Sequence, residues 1–272
     1  MSQQLTYTII ALLAASLGSV ALSGGLLMLN NKWLGKISGY LLYLAGGTLL
    51  GSALLGLIPE ATKSLTHIHE GHGAACHLAG HGDETVKVIL YWVLGGILFF
   101  FLLEKFILWR MCRDKHCERQ VHAAGPMIIV GDAVHNAIDG VVIAASFLTS
   151  TELGIFVTFS VLLHEIPQEL GDFGILIKSG YSRKKALFYN LLSGSSSLVT
   201  GIAAYFLLDM VQEYIPYALA VAAASFLYVS MADLIPEMHK ETKPKESIIQ
   251  FLLILSGVAI IYLSVINHSH AH

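Results

Sequence analysis

The sequence predicts an all-α polytopic membrane protein with eight transmembrane helices. The chain of 272 residues is 55% hydrophobic and only 13% charged, and its mean hydropathy is +0.66, values that are atypical of a soluble globular protein. Apolar runs long enough to cross a bilayer recur eight times along the chain. Few residues remain between these runs, so residues 1–272 are predicted to form one domain without a separate soluble part.

Each apolar run approaches the roughly 20 helical residues that span a hydrocarbon core of about 30 Å. The first run has no basic residues before it and is followed by Lys32 and Lys36, so we expect it to be a retained span and not a cleaved signal peptide. The eight spans are predicted at roughly Tyr7–Leu29, Ile37–Ile58, Val88–Trp109, Gly125–Leu148, Leu153–Ile177, Lys185–Leu208, Ile215–Ile235 and Ser247–Ile266.

The distribution of basic residues predicts the orientation. Of the 16 Lys and Arg residues, all but Lys63 and Lys87 lie in the odd-numbered loops, and 16 minus two leaves 14 there. Basic loops stay on the cytoplasmic side, so both termini are predicted to be extracytoplasmic. The loop at 110–124 is accordingly a basic cytoplasmic loop.

A short internal echo predicts an inverted repeat. Leu57-Ile58-Pro59-Glu60 closes the second span, and Leu234-Ile235-Pro236-Glu237 closes the seventh. In the predicted topology these two spans run in opposite directions, which is typical of transporters built from inverted repeats. We therefore expect a 3+2+3 arrangement, with spans one to three related to spans six to eight around a central pair.

Histidines are concentrated in one predicted extracytoplasmic loop, Thr66–Asp83, and the chain ends in a similar tract. Such tracts suggest weak metal capture, although a solvated loop without a binding role is the alternative. The loop histidines are His67, His69, His72, His77 and His81.

The cysteines carry little information. Cys112 and Cys117 lie in the basic loop with His116 between them, and their spacing matches no common zinc site. A reduced pair without a binding role is the simpler interpretation.

The fourth predicted span carries a polar stripe on an otherwise apolar helix. Asp132, His135, Asn136 and Asp139 fall at positions i, i+3, i+4 and i+7, which share one helix face. At bilayer depth such a stripe must face a cavity or another polar helix.

The fifth span carries two adjoining polar rows, around Pro167. His164, Gln168 and Asp172 form one row, and Glu165 and Glu169 form the other. Between Gln120 and Ile177 there are six carboxylates and no Lys or Arg. Because an ionised group in a bilayer is costly unless it is paired, a bound metal cation is the simplest source of the missing positive charge.

The mixture of ligand types suggests which cations would bind. Imidazole with carboxylate and amide oxygen suits Zn²⁺ first, then Fe²⁺, Mn²⁺ or Cd²⁺, whereas oxygen ligands alone would suit Mg²⁺ or Ca²⁺. The two spans contain no Cys, so a thiolate trap for Cu⁺ is not expected.

These two spans resemble the ZIP (Zrt/Irt-like) family of metal transporters. The motif His-Asn-x-x-Asp-Gly starts at His135, and His-Glu-x-Pro-x-Glu-x-Gly-Asp starts at His164. The eight spans, the outward termini and the Pro-Glu endings of spans two and seven extend the resemblance over the whole chain. The chain is similar to the branch whose fifth span reads His-Glu-x-Pro-His-Glu-x-Gly-Asp, with Gln168 in place of the second His.

The resemblance implies two adjoining metal sites between spans four and five, and import of divalent metal by alternating access without ATP. The primary ion would be held by His135, Asp139, His164 and Gln168. The second would be held or tuned by Asn136, Glu165 and Glu169, with Asp139 shared. Four further carboxylates are expected to line the ion path or to support the ligands, namely Asp132, Asp172, Glu60 and Glu237.

The resemblance and the sequence also set expectations about context. No cofactor is expected, because Zn²⁺, or Fe²⁺ or Mn²⁺, would be the substrate. The expected partners are divalent ions and the lipid bilayer and not nucleic acid, with a homodimer as one open option. The length of the chain favours a microbial protein of the plasma or inner membrane.

Two alternatives belong to other functional classes. An intramembrane metalloprotease would use His-Glu-x-x-His, but the string that starts at His164 has Gln168 at the last position and a proline within the motif. A non-enzymatic carrier is therefore favoured over a protease. A metal-gated channel, or a sensor without net transport, remains open at this stage.

Overall fold

The computed structural model describes residues 3–27, 31–71, 81–111, 120–240 and 242–269. Within these ranges the chain is helical and contains no β-strand. We number eight long helical segments α1 to α8 in chain order. They are α1 (Gln3–Leu26), α2 (Asn31–Gly51, Ser52–Leu57 and Ile58–Gly71), α3 (His81–Met111), α4 (Gln120–Thr149), α5 (Thr151–Lys178), α6 (Arg183–Met210), α7 (Ile215–Tyr228, Val229–Leu234 and Ile235–Met238) and α8 (Pro244–Ser269).

Seven of the eight segments are long and apolar enough to cross a membrane, so the chain is a multi-pass membrane protein. The exception is α5, which carries the polar rows predicted for the fifth span. The all-helical class is confirmed, while the count of eight spans stays a prediction. Pro167 lies inside α5, which continues through it as an α-helix.

Helix α2 is longer than the predicted second span. It continues through Thr66 to Gly71, and α3 begins at His81, so both ends of the predicted loop are helical. The burial of Leu65 ties this outer part of α2 to the apolar core. The described residues do not include 72–80, the stretch that contains His72, Cys76 and His77.

The predicted basic loop is also shortened at both ends. Helix α3 continues to Met111, and α4 begins at Gln120. Cys112, His116 and Cys117 lie outside the described residues.

The helices pack as two groups that meet at the centre. Helix α4 lies along α6 and α5, while α2 lies along α8 and α3 lies along α7. Contacts of α2 with α5, and of α4 with α7, join the groups. Under the predicted repeat, the α2–α8 contact would correspond to the α7–α3 contact. Both are present, as such a repeat requires, although the repeat itself stays a prediction.

Single turns of π-helix precede both copies of the internal echo. They cover Ser52–Leu57 in α2 and Val229–Leu234 in α7. In each turn an N–H donates five residues back, from Ile58 to Ala53 O and from Ile235 to Ser230 O. The next residue is proline in both helices, and it lacks the N–H that would continue the α-helical ladder. The two copies of the echo therefore begin with the same local geometry, although the π-helical residues before them differ in sequence and α1 contains a further π-helical turn, Ala14–Gly18, with no proline after it.

Glycine permits the close approach of α2 and α8. A Cβ atom on Gly257 would lie 2.6 Å from Leu44 O and 2.8 Å from Thr48 N. Both are backbone atoms that cannot rotate away, so the two helix axes would have to separate.

We therefore expect Gly257→Ala to destabilise the folded protein by about 1–3 kcal/mol through overpacking. Thermal unfolding of the purified protein, followed by size-exclusion chromatography, measures the change. The matched control is Gly95→Ala in α3, where a Cβ atom would meet nothing within 4 Å. Equal melting temperatures for the two variants would contradict the close packing of α2 on α8.

Candidate metal centre

Four side chains from α4 and α5 converge on one point. His164 Nε2 lies 3.1 Å from Asp139 Oδ2 and 3.2 Å from His135 Nε2. Glu165 Oε1 lies 3.6 Å from the Nε2 atoms of both histidines. One ligand atom from each of the four residues lies within 4.8 Å of the others. We call this group the histidine cluster.

The turn before His164 sets its orientation. Its Nδ1 lies 3.0 Å from the carbonyl oxygen of Ser160. A carbonyl can only accept, so Nδ1 carries the hydrogen, and in the neutral ring Nε2 presents a lone pair to the cluster. The Phe226 ring of α7 stands edge-on to the imidazole, with centroids 6.2 Å apart. Metal-binding histidines typically have this second hydrogen bond.

The carboxylates of the cluster lack hydrogen-bond donors in the part of the chain that the structure describes. Asp139, His164 and Glu165 are buried, and the side-chain oxygens of Asp139 and Glu165 have no hydrogen-bond partner among the described residues. His164 Nε2 cannot supply one, because its hydrogen is on Nδ1. Buried acceptors facing each other are costly unless something positive joins them. A divalent cation would satisfy all of them at once.

A second group adjoins the first and contains only oxygen. Carboxylate oxygens of Asp132, Glu165 and Glu169 lie within 4.8 Å of one another, and all three residues are buried. Both oxygens of Glu169 and one of Asp132 lack a hydrogen-bond partner in the described part of the chain. Glu165 belongs to both groups. We call the second group the carboxylate cluster.

The two predicted amide ligands turn toward Asp132. Asn136 Nδ2 donates to Asp132 Oδ1 over 3.0 Å, and Gln168 Nε2 donates to the same oxygen over 3.1 Å. Asp132, expected to support the ligands, thus lies in the carboxylate cluster and accepts from both amides. An amide that donates through nitrogen leaves its oxygen free to turn toward an ion.

Helix α6 supports the polar stripe from behind. Ser196 and Thr200 donate to the carbonyls of Ala133 and Ala137, each over 2.7 Å. Asn190 Nδ2 donates to Glu169 O over 3.1 Å. These residues were not singled out from the sequence. Their serine-rich and glycine-rich context indicates close helix packing but does not say which helix they support.

A cavity of about 710 Å³ leads from the histidine cluster to the end of α7. Its inner end is lined by His135 and His164, its walls by Gln168 and Asp172, and its mouth by residues from the end of the π-helical turn of α7 onward. Those mouth residues are Leu234, Pro236, Glu237 and Lys240. Asp172 and Glu237, both predicted on the ion path, therefore line the same cavity.

Glu60 lies in a different cavity, of about 580 Å³. That cavity lies between the outer part of α2, the end of α4 and the start of α7, and His67 also lines it. Among the described residues, none lines both cavities. Because one cavity lies at the start of α7 and the other at its end, they open at opposite ends of the helix bundle.

Comparison with known proteins gives one consistent result. The sequence model of the family described as "ZIP Zinc transporter" matches residues 4–125 and 110–264. Zinc transporter ZIP13 of Pongo abelii is 32% identical over 225 residues, which cover 82% of this chain and 65% of that protein.

Two further relatives extend the comparison. Zinc transporter zipt-7.2 of Caenorhabditis elegans is 31% identical over 283 residues, covering 86% of this chain and 59% of that protein. Zinc transporter ZIP4 of Mus musculus is 31% identical over 251 residues, covering 72% and 38%. The chain thus spans less than two thirds of the length of each of these three relatives. Because the family model matches most of this chain, the chain belongs to the ZIP zinc transporter family.

Proposed function

We propose that the protein is a secondary transporter that carries divalent metal ions, Zn²⁺ first, into the cytoplasm. The observation that carries this proposal is the histidine cluster at the closed end of a cavity. Two imidazoles and two carboxylates suit Zn²⁺ and also accept Fe²⁺, Mn²⁺ or Cd²⁺. The printed names of the relatives, all zinc transporters, support zinc as the principal substrate.

The arrangement of cavities supports a carrier. The cavity that reaches the histidine cluster opens at the end of α7, and the cavity that contains Glu60 opens at the start of α7. Buried apolar residues such as Phe226, Leu219 and Val157 fill the core of the bundle. An open pore would join the two ends, whereas a carrier exposes its site to one end at a time.

The direction of transport follows from the predicted topology. The cavity mouth at Glu237 and Lys240 lies on the side predicted to be cytoplasmic, so this conformation is open for release inward. We place the protein in the plasma or inner membrane with both termini extracytoplasmic. Release inward requires loading from the side predicted to be extracytoplasmic. Glu60 and the His-rich segment, Thr66–Asp83, are expected on that side.

The two clusters have different tasks in this proposal. The histidine cluster, with the Gln168 oxygen turned inward, holds the transported ion. The carboxylate cluster, with Asn136 beside it, holds or tunes a second ion, and Glu165 couples the two because it belongs to both. Alternating access then needs no ATP, only the gradient of the metal.

Loss of one histidine-cluster ligand is expected to abolish transport. His164→Ala removes the Nε2 ligand and leaves Asp139 and Glu165 buried without it. Uptake of radiolabelled Zn²⁺ into proteoliposomes should fall at least a hundredfold, while the protein remains inserted. His239→Ala, at an exposed histidine after α7, is the matched control and should transport normally. Near-normal uptake by His164→Ala would remove the histidine cluster from the transport path.

Gln168 is expected to broaden the range of transported metals. A neutral amide oxygen is a poorer ligand for Zn²⁺ than imidazole and relatively better for Mn²⁺ or Fe²⁺. Gln168→His should therefore tighten zinc binding, on the order of tenfold, and weaken competition by Mn²⁺ and Fe²⁺. Competition uptake assays measure both effects. Gln168→Asn keeps the amide and should not tighten zinc binding; unchanged competition in the His variant would contradict this role.

The His-rich segment is expected to capture metal and not to carry it. Replacing His67, His69, His72, His77 and His81 by Ser should raise the half-saturation concentration for zinc and leave the maximal rate nearly unchanged. Imidazoles bind metal only when neutral, so the difference should fade below about pH 6.5. Uptake kinetics at two pH values test this. A collapsed maximal rate in correctly inserted protein would place the segment within the translocation path.

A further inference from the structure

The internal echo is longer than four residues and includes a lysine. Residues 57–63 read Leu-Ile-Pro-Glu-Ala-Thr-Lys, and residues 234–240 read Leu-Ile-Pro-Glu-Met-His-Lys. Five of the seven positions are identical, and each copy begins at the last residue of a π-helical turn of six residues. A proline two residues beyond each turn lacks an N–H for the helical ladder and so accounts for shared backbone geometry. It does not explain the shared Glu and Lys, which do not shape the turn.

The glutamate and lysine of each copy form an ion pair. Lys63 Nζ lies 3.9 Å from Glu60 Oε1, and Lys240 Nζ pairs with Glu237 Oε2. In both copies the partners are three residues apart; Glu60 and Lys63 share one helix face, while Lys240 lies in the turn just after α7. The lysines are largely exposed, with 63% and 71% of their side-chain surface accessible, whereas Glu60 and Glu237 are 30% and 53% accessible. Each lysine is thus the more exposed partner of its pair.

Each glutamate lines one of the two cavities, at opposite ends of the bundle. Glu60 lines the cavity with His67, and Glu237 lines the cavity that ends at His135 and His164. Lys63 is also one of only two basic residues in the loops predicted to be extracytoplasmic. Its position beside Glu60 gives a reason for this exception to the charge bias.

We propose that Glu60–Lys63 and Glu237–Lys240 are matched cation-exchange pairs at the two mouths of the pathway, each taking a hydrated divalent cation in passing. The proposal rests on the proposed transport function. A carboxylate at a cavity mouth raises the local concentration of cations. An ammonium group cannot coordinate a metal ion, but it neutralises the carboxylate when no ion is present.

Exchange at these mouths would be rapid because the pairs are weak. Exposed ion pairs contribute little, so a divalent cation with its higher charge displaces the lysine readily. Once the ion moves on, the lysine returns and ejects whatever cation remains. Each lysine therefore sets how long a cation stays at its mouth, and the inverted copies do this from opposite ends of the bundle.

The inner pair is tested by zinc binding alone. Purified protein in nanodiscs is mixed with Zn²⁺ in a stopped-flow instrument, and a fluorescent zinc indicator reports the association rate. Lys240→Gln should speed association about two- to fivefold at low ionic strength, and the gain should vanish near 1 M salt, where the screening length is about 3 Å. Glu237→Gln should slow association at low salt.

Lys243→Gln is the matched control for the inner pair, because Lys243 is an exposed lysine nearby that does not line the cavity. Its association rate should match that of the unaltered protein. Equal acceleration by Lys240→Gln and Lys243→Gln would reduce the effect to general surface charge and overturn the proposal. An unchanged rate in Glu237→Gln would overturn it as well.

The outer pair is tested by zinc uptake into proteoliposomes of assayed sidedness. Lys63→Gln should lower the half-saturation concentration from the Glu60 side two- to fivefold at low salt, and Glu60→Gln should raise it. Lys87→Gln, at the other basic residue predicted on that side, is the control. Equal effects of Lys63→Gln and Lys87→Gln would overturn the outer pair. Zinc binding without transport would overturn the proposed function. The role of the inner pair would still be decided by the association rates, because that test measures binding alone.

Discussion

Several buried carboxylate oxygens between α4 and α5 accept no hydrogen bond from the described residues, and this unmet demand for positive charge governs the site. Asp139, Glu165 and Glu169 place their oxygens inside an apolar helix bundle. His164 adds Nε2, which carries no hydrogen in the neutral ring because Nδ1 donates to the carbonyl oxygen of Ser160. Such groups repel each other and have lost their hydration. A divalent cation would resolve the conflict, and the cost of burying these groups would then favour its binding. A site that is costly when empty also favours the exchange of one ion for another.

Helix packing makes this arrangement possible by holding α4 and α5 at fixed rotation. The hydroxyls of Ser196 and Thr200 in α6 donate hydrogen bonds to two carbonyls of α4 that lie one turn apart. These bonds keep the polar stripe of α4 facing α5. Gly140 permits the contact, because a Cβ atom there would collide with the Ser197 backbone. On the other side, Ser52 of α2 shares a hydrogen bond with Ser160 of α5, one turn before His164. The ligands are therefore supported from both groups of helices.

The duplicated segment places similar local geometry and similar charged side chains at both ends of the helix bundle. The seven-residue pattern occurs twice, each time at the end of a π-helical turn. Each copy places a glutamate, paired with a lysine, at one of the two cavities. One cavity reaches the histidine cluster, and the other does not. A pathway with similar chemistry at both mouths and access from one at a time is what alternating access requires.

The helical class and the polar stripes of α4 and α5 could be predicted from the sequence without tertiary structure. These are local properties, since hydropathy and a period of 3.6 residues can be read from neighbouring positions. Tertiary structure alone decided that Asp132 joins Glu165 and Glu169, that Gln168 and Asn136 donate to Asp132, and that Glu60 and Glu237 line separate cavities. Those outcomes depend on the rotation and depth of one helix against another. Packing between residues distant in sequence sets both, so no pattern within a single helix contains them.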